Sequence, residues 1–241
     1  LAGIRVAGLQ FQAVTIQNPI IVQCSIIMSF GQYKNIADVI QKYPLKIASQ
    51  RFLPNREKEL PELFLDNIDF SLEQKTAYDN ETFLAENFIY PFLHFTWKHH
   101  RRLKVWSRRT LNYDEDLCGE PDYFVSYWPN DIIDRLVISP LLAVVEAKKQ
   151  DFDQGWGQCL AEMIACQKIN QDDRAIVYGI VSTGTIWEFG QLEKSCFTQE
   201  KVAYSLANPQ LLAGILDHLF ANCEAQAQNF AKKEVAPAES Q

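Results

Sequence analysis

Glu146, Ala147 and Lys148 follow directly on the apolar run Leu141-Leu142-Ala143-Val144-Val145, and Pro121-Asp122 lies a short way upstream. A charged pair at the end of a run that is buried on both faces needs a partner or a metal, because an ionised group stripped of water is costly to leave alone. In an extended chain residues i and i+2 share a face, so Glu146 and Lys148 project together while Ala147 packs away. If a neighbouring strand presents Asp122 on that face, two carboxylates and an ammonium converge at one point. Carboxylates held so close repel each other, and a hard divalent cation relieves the repulsion while keeping sites for water and a phosphate oxygen. The chemistry this suits is metal-assisted hydrolysis.

The elements that must position these residues are legible from spacing and punctuation. Ile36, Val39 and Ile40 in "NIADVIQKY" fall on one helical face that Pro44 ends, and a polar, proline-containing stretch around "LPNREKELPELF" follows. "DNETFLAENFIYPFLHFTWKHHRR" reads as a helix capped by Asp79 or Asn80, with Leu84, Phe88, Phe92 and Phe95 along one stripe and a kink at Pro91. "LKVWSRRTL", "PDYFVSYW" and the stretch ending in "LLAVVEAKK" read as strands. A helix from about Asp153 carries Trp156, Leu160, Met163 and Ile164 as its apolar stripe, with Gln158 and Glu162 one turn apart. "AIVYGIVSTGTIWEFGQLE" reads as two strands joined at "STG", and "PQLLAGILDHLFANC" as a final helix from Pro209. The fold class expected is α/β, a mixed central sheet flanked by helices with further helices at both ends. Residues 28–225 form the single domain, with its core at about 80–190, and residues 226–241 form a frayed tail. Residues 1–27 read either as an appended segment before a natural start at Met28 or as one or two extra edge strands.

Helix, three strands, helix, strand, with Pro121-Asp122 and Glu146-Ala147-Lys148 on the strands, resembles the PD-(D/E)xK nuclease superfamily and its restriction-endonuclease-like αβββαβ core. The resemblance implies that Asp122, Glu146 and the Ala147 carbonyl hold Mg2+, for which Mn2+ substitutes, and that Lys148 positions or activates the attacking water. It also implies a glutamate from the first core helix, either Glu81 or Glu86, with Glu86 preferred. Gln158 falls where related nucleases place a polar residue near metal or DNA, although Glu162 stands where the QxxxY version has tyrosine. The function implied is a Mg-dependent deoxyribonuclease. The alternative is a catalytically silent nucleic-acid-binding or assembly module on the same fold. A carboxylate-pair glycosidase would leave the lysine without a task.

The surroundings suit a polyanion. No acidic residue occurs from Asn87 to Tyr113, where Arg101, Arg102, Lys104, Arg108 and Arg109 are the expected DNA contacts together with Lys149. Asp114, Glu115, Asp116 and Glu120 read as a solvated loop, with a second cation site as the alternative. His94, His99, His100 and His218 lack metal-ligand spacing and read as structural or phosphate-contacting. The six cysteines include no CxxC pair and read as free buried thiols. A net charge of -7 argues against a protein that coats nucleic acid indiscriminately. No apolar run is long enough to span a bilayer, so no membrane partner and a cytoplasmic location are expected, with DNA as partner and a homodimer possible.

Overall fold

The computed structural model describes residues 29–129 and 137–235, so the expectations for residues 1–27 and Met28 lie outside the described residues. A 3-10 turn (Ser29–Gln32) leads into α1 (Ile36–Lys42), where the Asn35 side chain accepts the Asp38 N–H as N-cap. Strand β1 (Lys46–Gln50) and helix α2 (Glu62–Gln74) come next. The long aromatic helix is built in three pieces: α3 (Glu81–Leu84), capped by Asn80, a π-helical turn (Ala85–Ile89), and α4 (Tyr90–Trp97). Pro91 has no N–H to give to the carbonyl one turn back, and the widened turn just before it takes up the mismatch expected as a kink. Strands β2 (Leu103–Ser107), β3 (Leu111–Asn112), β4 (Cys118–Gly119), β5 (Tyr123–Tyr127) and β6 (Ile138–Ala147) precede α5 (Phe152–Asn170). The chain continues through β7 (Val177–Ser182), β8 (Ile186–Glu193), β9 (Cys196–Glu200) and β10 (Tyr204–Ser205) to α6 (Pro209–Val235).

The fold is mixed α/β, with an 8-stranded central sheet in the order β1-β9-β8-β7-β6-β5-β2 and β10 beside β8. Its pairs are mostly antiparallel. The two exceptions are β6 with β7, which α5 connects as a crossover, and β1 with β9. Phe88, Phe92, Val145, Ala147, Leu216 and Phe220 share the apolar layer under α3, α4 and α6, while Phe124, Val144, Leu160, Met163 and Val181 share the layer under α5. Strand β6 is buried by both layers, which is why its sequence is apolar without alternation. No helix among the described residues is long and apolar enough to cross a membrane.

Several elements differ from expectation. Strands β1, β4, β9 and β10 and helix α2 are additional, and the strand expected over "LKVWSRRTL" ends at Ser107, with Leu111–Asn112 pairing separately with β4. Helix α2 begins after Pro61 and leaves Leu63 and Phe70 exposed, so its apolar face was not separable from a loop by periodicity. The tail expected to fray from residue 226 is helical to Val235. Ala227 is fully buried, and the Gln226 amide accepts the Ile176 N–H at 2.7 Å and donates to the Ile176 carbonyl at 3.2 Å, pinning α6 to the start of β7. The described cysteines are free thiols, and Cys118, Cys159, Cys166 and Cys223 are buried.

The acidic loop is a structural joint. Asp116 accepts from Tyr33 Oη at 2.6 Å, from Gln32 Nε2 at 2.8 Å, from Tyr43 Oη and from Lys42 Nζ, tying the loop to the N-terminal helix. Asp114 Oδ1 closes the turn by accepting the N–H groups of Asp116 and Leu117. Burial pushes the Asp116 carboxyl up, but the bonds from Lys42, Tyr33, Tyr43 and Gln32 outweigh it and hold the pKa down at about 2. A folded pKa below the unfolded one gives stability that is present above the ordinary carboxylate value of 3.8 and is lost as pH falls through about 2. Asp116→Asn is therefore expected to destabilise the fold at neutral pH, by on the order of 1 kcal/mol once solvent screening of the partly exposed Lys42 pair is allowed for. In urea melts, the gap between variant and wild type should close as pH drops below about 4.

Candidate active site

Strands β5 and β6 pair with Tyr123 opposite Val145 and Phe124 opposite Val144, a register whose next step sets Asp122 against Glu146. Asp122 Oδ2 accepts the Ala147 N–H at 2.9 Å, so its side chain extends the ladder past the last strand pair. Lys148 Nζ sits 3.1 Å from Glu146 Oε2, and the Lys148 N–H donates to the Ser182 carbonyl at 2.9 Å, continuing the parallel ladder with β7. Glu146 is 4% exposed and Lys148 8%, while Ala147 packs into the opposite layer. The alternation expected of the Glu-Ala-Lys triplet is thus present.

Helix α5 closes the cluster from below. A methyl at Gly155 would stand 2.5 Å from Val181 Cγ1 and 3.0 Å from Lys148 Cγ, and one at Gly157 would stand 2.6 Å from the Asn35 backbone nitrogen. Only glycines let the helix lie this close to both neighbours. Glu162, 1% exposed, faces Glu146 from this helix. Its Oε2, and Oε1 of Gln158 one turn earlier, are buried without a hydrogen-bond partner among the described residues.

Three carboxylates therefore face one ammonium in a nearly dry site. Burial, then the Glu146 charge, push Asp122 up to about 6, against the weaker pull of the Ala147 N–H, Lys148 and Arg108. Burial, then Glu146 and Asp122, push Glu162 well above the carboxylate range. Burial lowers the Lys148 pKa, but Glu146, Glu81 and Asp122 outweigh it and hold the ammonium charged. No three His, Cys, Asp or Glu side chains among the described residues stand at metal-holding distances. The unpartnered Glu162 oxygen and the acidic excess nonetheless match what a divalent cation would relieve, and the Asp122 and Glu146 carboxylates with the Ala147 carbonyl are oxygen donors of the right kind.

Of the two candidate helix glutamates, Glu81 reaches the cluster and Glu86 does not. Glu81 Oε1 accepts the Lys149 N–H at 3.3 Å from the first turn of α3, beside the chain leaving β6. Glu86, more than a turn further on, is exposed and lines a groove of ≈ 410 Å³ with Thr82, Tyr90, Arg108 and Tyr123. The basic segment divides as well. Arg108 stands at the site, with Nε 3.9 Å from Asp122 Oδ1 and Nη2 donating to Thr82 Oγ1 at 3.1 Å. Arg109 lies over the Trp106 ring and Lys149 Nζ donates to the Ala77 carbonyl. Arg101 and Arg102 lie beyond the other end of β2, about 20 Å from Arg108 at strand rise. Lys104 Nζ sits between the Trp97, Trp106 and Trp128 rings at 5.0, 5.7 and 5.4 Å, a cation held by aromatics rather than offered to a phosphate. The residues expected to contact DNA thus fall in two groups, one at the site and one beyond the far end of β2. His100 lies between Asp217 and Glu224 of α6, where its ring nitrogens are 3.1 Å from each carboxylate.

Glu162 is the site residue that the motifs missed. Its signal in the sequence is a lone acid, four residues after Gln158, on a helix otherwise apolar on that stretch. No protein-family model matches the chain, and no curated protein matches it.

Asp122 carries a stability consequence. A carboxyl raised to about 6 in the fold binds more protons than in the unfolded chain between pH 3.8 and that value, so stability falls as pH climbs through this window. Asp122→Asn keeps the acceptor for the Ala147 N–H and removes the charge. In EDTA at pH 7 it is expected to melt higher than wild type, by on the order of 2 kcal/mol of stability, with the difference vanishing near pH 4. A variant that melts lower at both pH values would contradict the assigned repulsion.

Proposed function

We propose that this chain is a metal-dependent nuclease that hydrolyses phosphodiester bonds of DNA, on a core of the PD-(D/E)xK, restriction-endonuclease-like type. The observation that carries the reading is the meeting of Asp122, Glu146 and Lys148 at the adjoining ends of two paired strands, with a buried excess of carboxylate around them. Counted on the main sheet alone, with the β3-β4 hairpin left aside, the helical segment of residues 81–97, then β2, β5, β6, α5 and β7 run helix, three strands, helix, strand, an order that supports the reading.

Asp122, Glu146 and the Ala147 carbonyl would hold Mg2+ or Mn2+, which when bound supplies a Lewis acid and a water of lowered pKa. Glu162 stands beside the Glu146 carboxylate on a helix that Gly155 brings against the strand, adding negative charge that a cation there would neutralise. Lys148, kept charged by its acidic neighbours, offers its ammonium to the attacking water and to the negative charge that builds on the phosphate. Arg108 at the mouth, anchored by Thr82, is placed to take a non-bridging phosphate oxygen by charge-assisted hydrogen bonds. Glu81 holds the Lys149 backbone, and with it the chain leaving the site.

The test is incubation of purified protein with supercoiled plasmid, linear duplex and single-stranded DNA in Mg2+, Mn2+ or EDTA. Cleavage should require the cation. Asp122→Asn, Glu146→Gln and Lys148→Ala should each lower it about 100-fold or more, with double variants little worse than singles, because the groups act as a unit. Full cleavage by a folded Glu146→Gln protein would overturn the assignment. Tight DNA binding with no hydrolysis in either cation would leave a binding module instead.

A further inference from the structure

The outward face of α4 carries aromatic rings that the cluster does not use. Tyr90 and His94 recur at i and i+4 on a face distinct from the inward Phe92 and Leu93, and Trp97, partly buried against the core and covered by Lys104, closes that face one turn on. The Tyr90 and His94 rings stack at 5.6 Å with planes 23° apart, and Trp97 meets His94 edge-on at 6.2 Å. At its other end Tyr90 stacks on Tyr123 at 5.8 Å and 21°, and Tyr123 is the residue next to Asp122. The Tyr123 ring lies in the apolar layer that holds Ala147, on the other face of the sheet from Glu146, so the column begins beside the mouth of the candidate active site at Arg108, and its exposed pair, Tyr90 and His94, spans about 6 Å along α4, the length of roughly two stacked nucleotides. Tyr90 is 37% exposed and His94 is exposed. Tyr90 also borders the groove that holds Thr82, Glu86 and Arg108.

Cations bracket the column. Arg108 stands at the site end, and exposed Lys98, Arg101 and Arg102 stand at the other. Backbone phosphates can thus be neutralised at both ends while ring faces lie between them. A ring face engages a base only when that base presents its own face, which a base pair inside a duplex does not. Stacking platforms between cations are the recognition chemistry of single strands, whereas a duplex reader needs side chains that reach base edges in a groove.

We propose that Tyr90 and His94, backed by Tyr123 and Trp97, form a stacking platform for single-stranded DNA that leads an unpaired strand past Arg108 to Asp122 and Glu146. Arg101 and Arg102, separated from the site by the length of β2, then hold the same strand further along rather than the phosphates at the cut. The Glu86 carboxylate in the groove repels phosphate and accepts from exocyclic amino groups, which suits a base lying there instead of the backbone. The consequence for cleavage rests on the nuclease reading, but the platform itself is testable without it.

Fluorescence anisotropy with labelled oligothymidine and with a labelled duplex, both in EDTA so that nothing is cut, reads the platform directly. Wild type should prefer the single strand. Tyr90→Ala and His94→Ala should each weaken single-strand binding about ten-fold, while Tyr90→Trp keeps it and duplex binding is unmoved. Tyr90 and His94 are exposed, and matched melting curves confirm that the variants fold. Wild-type affinity in Tyr90→Ala, or an equal loss on duplex, would overturn the platform. If that occurs while Mg2+-dependent cleavage still disappears in Glu146→Gln, the nuclease reading survives alone. If no substrate is cut but Tyr90→Ala loses the single strand, the platform stands and the nuclease reading falls.

Discussion

Two paired strands end with Asp122 and Glu146 on the same face, and the packing around them answers the cost of that arrangement. Placed in water the two carboxylates would barely interact. Placed under α5, with Glu162 beside Glu146, they are largely shielded from solvent and have one ammonium between them. The Ala147 N–H, Lys148 and Arg108 each offset part of the charge, yet Asp122 remains raised and one Glu162 oxygen has no hydrogen-bond partner among the described residues. A chain selected only to fold has no use for such a cluster, since apolar side chains of similar volume would stabilise it more. A chain that takes up a cation there gains back the repulsion on binding.

The rest of the sheet keeps that cluster rigid. Strand β6 is paired on both edges and packed on both faces, so its end cannot swing. Helix α5 is set by close contacts rather than by bulk, at Gly155 against Val181 and at Gly157 against the backbone before α1. Asp116 ties the N-terminal helix to the loop that leads into Asp122, and His100, Lys58 and Asp217 tie the end of α4 to α6. These polar joints lie away from the cluster, on connections that the apolar layers do not reach.

Legibility in the sequence followed burial. Strand β6 announced itself because a strand covered on both faces has to be apolar throughout, and the charged residues at its end stood out for the same reason. Asp122 was legible only as the partner that Glu146 required. Choosing between Glu81 and Glu86 by helical spacing has no firm basis, because Glu81 opens the short α3 while Glu86 lies in the π-helical turn that follows, where regular spacing no longer fixes direction. Glu162 was masked by its neighbours: on a helix read for apolar stripe, one acid looks like the solvent face, and only the covering contact with β6 shows otherwise. Lys104 read as a phosphate contact because linear sequence does not reveal that Trp97, Trp106 and Trp128 come from three separate segments to surround it. The edge strand β1 was missed since five residues, four of them exposed, carry no alternation.

The central claim is that the carboxylate excess at the ends of β5 and β6 is a cation site. Titration of the purified chain with Mn2+, followed by the electron paramagnetic resonance of the free ion, measures this without any substrate or turnover. Saturable uptake of Mn2+ that Mg2+ displaces, and that Glu146→Gln weakens at least ten-fold with the fold intact, is the expected result. Equal uptake by wild type and Glu146→Gln, or none by either, would contradict it.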